Sequence, residues 1–401
     1  MTGRCFTFPV GYHEFHKDQI YNFQLNRWHS LGYARFEDMK AAGERIHDFQ
    51  GWKQEMLTLA EAAAGEGRLV NAAFHYRAAE FYTFQDDSDK VAFYDRFSEL
   101  FYRAFEADGI ERHEVPYGDK FLPAIRVRPD GRGQNAAARS PAGTGAEPGT
   151  ARGTIVIHGG FDSFIEEFYS WMRFFSERGY EVIAFEGPGQ GAARKRYGLP
   201  LDYRWERPVG AVLDHFKVDD VTLLGISMGG WLCFRAAAFE PRIKRVIASG
   251  IAYDYMQFIN IVLQWIMFFF FRHLRGFSDW MTLRKMKSDE MHAWSIGNLM
   301  YITCKDTPMD AFDVVADLNA RNLHSERVTQ DVLILTGRED HFIPFKMHDM
   351  QVKALTNAAS VTGRIFTREE QAHNHCQIGN VGLALEEMAQ WLEKMDQEKG
   401  E

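Results

Sequence analysis

The sequence predicts an α/β protein whose mostly parallel central sheet is flanked by helices. From Thr154 onward, the short apolar strands TIVIHG, EVIAFEG and VTLLGIS are each followed by a helical pattern. RVIASG, DVLILTG and a short strand near GRIFT continue the series, which ends in a helix reaching Trp391-Leu392. Strands separated by helices in this rhythm form βαβ units, and their sheet is buried on both faces.

Helical additions surround this predicted core. Residues 1–110 have the periodicity of helices and predict an N-terminal helical domain or cap. The core occupies residues 111–250, beginning with a β-hairpin, and resumes over residues 329–401. Between them, residues 251–328 lack strand signals and predict a helical lid insertion at the sheet edge where ligands bind. Residues 130–153, rich in Gly, Ala, Pro and Arg, predict a flexible insertion within the core.

Composition limits the partners and the compartment. The 401 residues include 46 Lys and Arg against 55 Asp and Glu, a net charge of −9, and no basic run predicts nucleic-acid binding. The four cysteines lack the spacing of a zinc ribbon or a redox pair, and the N-terminal residues do not resemble a secretory signal. We therefore expect a cytoplasmic protein without a disulfide framework.

One strongly apolar segment, FINIVLQWIMFFFF at Phe258–Phe271, falls in the predicted lid. Its apolar run is shorter than the ~20 residues that a membrane-spanning helix needs, so we expect no membrane span. Such a segment should be buried, against the N-terminal helices or a second subunit, and a homodimer is therefore an expectation. It would wall an apolar pocket above the sheet edge or simply form the core of a helical cap.

The sharpest motif is Gly225-Ile226-Ser227-Met228-Gly229-Gly230, which follows a strand and opens a helix. In that context GxSxG predicts a nucleophile elbow, where small residues permit a sharp turn that exposes the serine hydroxyl. The alternative is a tight turn with an inert serine. We predict Ser227 as a nucleophile.

A serine nucleophile needs a base, and the base needs an acid that orients it. The strand VLILTG ends just before Asp340, which we predict to be the acid. Asp254 follows the preceding strand and is the rival, whereas Glu339 is less well placed because Asp340 lies where the loop turns back.

The base should follow the last strand, where His373 and His375 compete. We predict His375, because it lies just before the entry to the final helix, and assign His373 to the loop. The nearby carboxylates already have roles, so we expect no metal. The turn Gly187-Pro188-Gly189-Gln190-Gly191 lacks the register of a nucleotide-binding loop, and we expect no cofactor.

Acyl transfer also needs N–H donors that stabilise the developing oxyanion. The backbone amide of Met228 follows the nucleophile and is the first candidate. The second should come from the loop His158-Gly159-Gly160-Phe161, where we favour the amide of Phe161 and keep Gly160 as the alternative.

In this order and spacing, GISMGG, HGGFDS, FEGPGQG, GREDHFIP and AHNHC resemble the α/β-hydrolase fold superfamily over roughly residues 110–395. The helical N-terminal region and the HGGFDSFIEEFY loop are similar to a narrower group within it. That group includes fungal hydrolases that shorten polyketide naphthopyrones and the bacterial pseudooxynicotine hydrolase, which cleaves a carbon–carbon bond. The resemblance implies Ser227 as nucleophile, Asp340 as acid and His375 as base, and does not account for residues 130–153.

These observations predict a serine hydrolase that acts on a small apolar or aromatic metabolite. The narrower resemblance favours cleavage of a carbon–carbon bond next to a carbonyl, as in polyketide secondary metabolism. Hydrolysis of a carboxylic ester or lactone is the alternative, because the three site residues do not specify the leaving group. A non-catalytic binding protein with this fold is a third possibility, which the complete set of site residues argues against.

Overall fold

Eight strands form one sheet in the part of the chain that the computed structural model describes, residues 6–129, 151–258 and 261–400. The strands are β1 (Glu111–Tyr117), β2 (Lys120–Val127), β3 (Thr154–His158), β4 (Glu181–Phe185), β5 (Val221–Ile226), β6 (Ile243–Ser249), β7 (Asp331–Gly337) and β8 (Ser360–Phe366). Their order across the sheet is β1-β2-β4-β3-β5-β6-β7-β8.

The sheet is mostly parallel, as the sequence predicts. The strand pairs from β4 through β3 to β8 are all parallel, whereas β1 pairs antiparallel with β2, and β2 with β4. The predicted hairpin is the β1–β2 pair, where Tyr117 lies opposite Lys120. Gly118 in its two-residue turn has a φ of 63°, a backbone conformation that favours glycine.

Helices precede the sheet, cover its faces and interrupt it between β6 and β7. The N-terminal helices are α1 (Gln19–Ser30), α2 (Phe36–Gly43), α3 (Phe49–Gly65), α4 (Leu69–Tyr82) and α5 (Asp89–Ala104). Those between β3 and β6 are α6 (Tyr169–Ser176), α7 (Gly191–Lys195), α8 (Glu206–Phe216) and α9 (Gly229–Ala237). The insertion helices are α10 (Ile261–His273), α11 (Arg275–Met286), α12 (Glu290–Thr303), α13 (Pro308–Ala316) and α14 (Ala320–Leu323). The last two are α15 (Lys346–Ala354) and α16 (Val381–Gly400).

The sheet separates two hydrophobic cores, because neighbouring side chains of a strand point to opposite faces. Ile157 of β3 lies in the core that contains Trp28 of α1 and Met388 of α16. Val156 lies in the opposite core with Trp231 of α9. The N-terminal helices therefore share a core with one face of the sheet, which fixes them against the elements that carry the candidate site.

The apolar segment Phe258–Phe271 differs from its prediction. On α10, Leu263 is 51% exposed, Trp265 72%, Ile266 49% and Phe269 56%, so the N-terminal helices do not bury these side chains and their burial against a second subunit stays a prediction. The helix packs against α11 and leaves its outer face open in the single chain. No helix in the described ranges is long and apolar enough to cross a bilayer.

Two further predictions concern the final helix and the insertion at residues 130–153. The final helix continues past Trp391-Leu392 to Gly400, and Glu393, Lys394, Gln397 and Glu398 in these added turns are exposed. The predicted flexible insertion at residues 130–153 falls, from 130 to 150, outside the described residues.

Candidate active site

Ser227 lies at a sharp turn between β5 and α9. Its φ is 62°, in the left-handed region, where a residue other than glycine is strained. Its amide donates to the Ser249 carbonyl at 2.9 Å, and its carbonyl accepts from the Gly230 amide at 2.8 Å. These bonds on both sides hold the turn, so its hydroxyl is presented at the carboxyl edge of the sheet.

The glycines around Ser227 are required by close backbone approach. A Cβ on Gly225 would collide with the Gly229 carbonyl, and one on Gly230 would collide with the Gly250 carbonyl. A Cβ on Gly229 would lie 2.6 Å from the carbonyl oxygen of Gly159. These three positions therefore need glycine, because the strand, the helix and two neighbouring loops meet there.

The structure brings His375 and Asp340 to Ser227. Nε2 of His375 lies 2.8 Å from Oγ of Ser227, and Nδ1 lies 2.6 Å from Oδ2 of Asp340. The other carboxylate oxygen of Asp340 accepts from the amides of Phe342 at 2.8 Å and Ile343 at 3.0 Å. With Nδ1 protonated toward Asp340, Nε2 is free to accept the serine proton.

The His375–Asp340 pair has the electrostatics of an ion pair held inside the protein. Burial opposes charge on His375, but the carboxylate of Asp340 and the neighbouring Cys376 thiol outweigh it and raise the pKa of His375 well above its usual value. Burial likewise opposes charge on Asp340, but the charge and hydrogen bond of His375 lower the pKa of Asp340. The negative charge of Asp340 therefore stabilises the protonated form of His375.

The three rival residues lie in other environments. Asp254 accepts from the Met256 amide at 2.8 Å and the Ala320 amide at 3.2 Å, so its carboxylate joins its own turn to the start of α14. Glu339 is at the surface and pairs with Arg368. The ring of His373 packs against Tyr12, with 5.8 Å between ring centroids. Their observed hydrogen bonds connect none of the three to Ser227.

The predicted oxyanion donors lie on two adjacent backbones. A Cβ on Gly160 would stand 2.7 Å from the Met228 nitrogen, so the loop after β3 touches the start of α9. Among the described residues, the amides of Phe161 and Met228 have no hydrogen-bond acceptor, whereas the Gly160 amide lies 3.4 Å from the Ser163 hydroxyl. Two unpartnered N–H groups beside a nucleophile can stabilise an oxyanion.

Side chains that the sequence analysis did not identify hold this loop. Gln190, in the turn set aside as a non-nucleotide loop, donates to the Gly159 carbonyl at 2.7 Å. From the N-terminal helices, Arg77 donates to the Asp162 carbonyl at 2.5 Å and to Glu167 at 2.8 Å. Their partners are 31 to 90 residues away in the chain, so no local pattern could reveal them.

Apolar rings surround the histidine. Phe342 packs edge-on to His375 at 5.1 Å between centroids, and Phe23 of α1 lies at 6.3 Å. The N-terminal helices thus contribute directly to the surroundings of the site. These rings shield part of the imidazole from water, which strengthens its electrostatic interactions, while Phe342 itself is 49% exposed.

Comparisons with known proteins agree with this architecture. A family model described as the alpha/beta hydrolase fold matches residues 154–278. The hydrolase acrC of Aspergillus aculeatus is 26% identical in an alignment of 393 positions, and the alignment covers 86% of this chain and 85% of acrC. The 20-hydroxy-prefusarin hydrolase FUS2 of Gibberella moniliformis is 27% identical in an alignment of 387 positions, and the alignment covers 82% of this chain and 84% of FUS2.

A solved structure extends the likeness to most of the chain. The 2,6-dihydroxy-pseudo-oxynicotine hydrolase superposes with a TM-score of 0.62 at 22% identity, covering 92% of this chain and 94% of that protein. The superposition therefore includes the N-terminal helices as well as the sheet. The chain is thus an enzyme with the α/β-hydrolase fold, a hydrolase that resembles these fungal and pseudo-oxynicotine hydrolases.

Proposed function

We propose that the protein is a serine hydrolase that cleaves a carbon–carbon bond next to a carbonyl in a small aromatic or polyketide-like metabolite. Ser227 is the nucleophile, His375 the general base and Asp340 the acid that orients it. The observation that carries the proposal is the pair of hydrogen bonds from one imidazole, at 2.8 Å to Ser227 and 2.6 Å to Asp340.

The first step forms a tetrahedral intermediate on Ser227. Oγ of Ser227 attacks the substrate carbonyl carbon while its proton passes to Nε2 of His375. The carbonyl oxygen becomes an oxyanion, which accepts from the amides of Phe161 and Met228, with the amide of Gly160 as the alternative to Phe161. Asp340 stabilises the imidazolium that results, in keeping with the raised pKa of His375.

The second step distinguishes a carbon leaving group from an oxygen one. As the tetrahedral intermediate collapses, the electron pair of the carbon–carbon bond departs as an enolate, which takes the proton held by His375. Water, deprotonated by His375, then attacks the acyl group on Ser227 and releases a carboxylic acid. The net reaction consumes one water and yields an acid and a ketone.

Two observations support the carbon–carbon reaction over ester hydrolysis. The chain resembles a 2,6-dihydroxy-pseudo-oxynicotine hydrolase over 92% of its length, N-terminal helices included. Helices outside the sheet also reach the site, because Phe23 of α1 packs near His375 and Asn298 of α12 donates to the Phe161 carbonyl at 3.3 Å. Fixed orientation can supply about 7–11 kcal/mol of a barrier, and a poor carbon leaving group needs more of it than an ester does.

The reaction type is tested by product analysis with paired substrates. We expect aromatic β-diketones or acyl-naphthopyrones to be converted to a carboxylic acid and a ketone, with one oxygen from labelled water in the acid. Mass spectrometry of both products measures this outcome, and S227A corrects for spontaneous cleavage. Rapid hydrolysis of short p-nitrophenyl esters with the diketones recovered unchanged would instead establish the ester or lactone reaction.

A further inference from the structure

Exposed apolar side chains are concentrated on α10 and α11. Of the fourteen large apolar side chains that are strongly exposed in the described ranges, nine lie between residues 263 and 283. Single exposed apolar residues are ordinary, but a contiguous cluster marks a surface that another molecule covers. We define the α10–α11 face by six of these side chains: Trp265, Ile266, Phe269, Phe277, Trp280 and Met281.

The rings of this face are continuous from one helix to the other. Phe269 and Phe277 both contact Phe270, with 6.0 and 6.3 Å between ring centroids. Phe277 in turn stacks on Trp280 at 5.8 Å. Because Phe277, Trp280 and Met281 are spaced by three and four residues, they share one side of α11. The two helices therefore present one apolar surface rather than scattered residues.

The helix α11 turns its polar side toward the protein. Arg275 pairs with Asp310 at 2.6 Å and Asp313 at 2.7 Å, both on α13. The carboxylate of Asp279 accepts from the Met309 amide at 2.9 Å. The side chains that α11 contributes to the α10–α11 face are 48% to 53% exposed. A surface helix ordinarily turns its apolar side to the core, so this reversed orientation fits a helix with an apolar partner outside the chain.

The same segment is cationic in an acidic chain. Residues 261–288 contain five Lys and Arg against one Asp, a net charge of +4, whereas the whole chain carries −9. Arg272 and Arg284 are exposed, and no carboxylate within the described ranges pairs with either. Arg272 follows Phe269 by three residues on the same side of α10, and Arg284 lies 5.4 Å from the ring centre of Trp280. Positive charge therefore borders the apolar surface.

This combination fits the surface of an anionic lipid bilayer better than it fits a second copy of the chain. Tryptophan and phenylalanine rings insert at the level of the lipid headgroups, where Lys and Arg are attracted to negative charge. In a two-fold symmetric dimer the α10–α11 face would meet itself, and two surfaces of like charge would oppose each other. A bilayer has the opposite charge and accepts exposed rings without matching pockets.

We propose that the α10–α11 face binds the surface of an anionic phospholipid bilayer, with its rings among the headgroups and Arg272 and Arg284 on the lipid phosphates. The 13 residues of α10 span about 20 Å at 1.5 Å per residue, less than the ~30 Å hydrocarbon core, so the helix lies along the membrane rather than across it. Phe271 stacks on Phe312 of α13 at 5.3 Å, which keeps α10 attached to the rest of the chain. The proposal does not depend on the reaction at Ser227.

Co-sedimentation with lipid vesicles tests the proposal. We expect the parent to bind phosphatidylcholine vesicles that contain about 30 mol% phosphatidylserine at least about tenfold more tightly than vesicles of phosphatidylcholine alone. Raising the salt from about 0.1 M to about 0.5 M should reduce this preference, because salt screens exposed charges. R272E/R284E should lose the preference, and W265Q/F269Q should bind both kinds of vesicle at least about tenfold more weakly.

Two double variants outside the α10–α11 face are the matched controls. Lys17 and Lys40 are exposed and have no carboxylate partner among the described residues, so K17E/K40E changes the net charge as much as R272E/R284E does. Val10 and Val91 are each 62% exposed, between the values for Phe269 and Trp265, and V10Q/V91Q removes them. Both controls should bind vesicles as the parent does.

Three results would overturn the proposal. The first is a parent that does not bind phosphatidylserine vesicles, and the second is a loss of binding that is equal in the face variants and the controls. Sedimentation velocity detects the third, a parent dimer that W265Q/F269Q converts to a monomer without any vesicle binding, which would assign the face to a second copy. Circular dichroism of each variant verifies that its helices are retained, and the comparison of the two vesicle compositions with the parent requires no variant.

Discussion

Replacing Ser227 with alanine is expected to abolish turnover while leaving the fold intact. The substitution removes one oxygen, whose interaction is with Nε2 of His375 at 2.8 Å, and the backbone bonds that hold the turn remain. Loss of the nucleophile lowers kcat by about a millionfold in a serine hydrolase. Steady-state kinetics on a cleaved substrate, with circular dichroism and thermal unfolding, measures both parts.

A second serine variant controls for nonspecific effects of the mutation. Ser288 lies on the surface between α11 and α12, and its hydroxyl donates to the Lys285 carbonyl at 3.1 Å. S288A should keep the parent activity. Turnover by S227A above a few percent of the parent would show that the nucleophile is another residue.

Asp340→Asn is expected to lower kcat by about ten-thousandfold, the loss typical when the orienting carboxylate of such a site becomes an amide. The amide retains the size of the side chain but removes the charge that fixes the tautomer of His375 and stabilises its imidazolium. The matched variant is D254N, since Asp254 is the rival acid and is buried, as is the side chain of Asp340 with 3% exposed. D254N should remain active, and the reverse pattern would identify Asp254 as the acid.

The pH profile gives a second readout of the same variant. His375 must be neutral to accept the serine proton, so kcat/KM should rise with pH through the raised pKa of His375, above 6.5. In D340N the charge that raises this pKa is gone and burial, which lowers it, remains. The residual activity should therefore rise at a lower pH than in the parent, whereas a profile unchanged by D340N would contradict the role of Asp340.

The fold class was predictable because its signals are local and repeated. Each parallel strand is a short apolar run, and all six residues of β5 are buried, as expected for a sheet covered on both faces. The α/β-hydrolase fold and the assignment as a hydrolase are confirmed by the observed sheet and by the relatives. The boundaries of the helical domain and lid stay predictions.

The residues of the candidate site could be named from sequence because each follows the end of a strand. Ser227, Asp340 and His375 come after β5, β7 and β8, whose carboxyl ends meet at one edge. The choice of His375 over His373 depended on position relative to the helix entry, and the structure places His375 against Ser227. Their catalytic roles remain predictions until the variants are measured.

Interactions between distant segments were not predictable. The side chains of Arg77 and Lys195 are partnered through Glu80, and nothing in the sequence near either residue indicates the other. The apolar residues of α10 were expected to be buried, yet hydrophobicity does not specify which surface covers a helix. Trp265 is 72% exposed in the single chain, so the homodimer that would cover it stays a prediction.

The most direct test of the account is the site of covalent modification by a fluorophosphonate, which reacts with a serine only when a base activates it. Peptide mapping by mass spectrometry should find a single adduct, on Ser227, that is absent from S227A and forms much more slowly in D340N. A parent enzyme that turns over substrate yet carries the adduct on another residue, or no adduct, would contradict the assignment of Ser227, His375 and Asp340 as the catalytic residues.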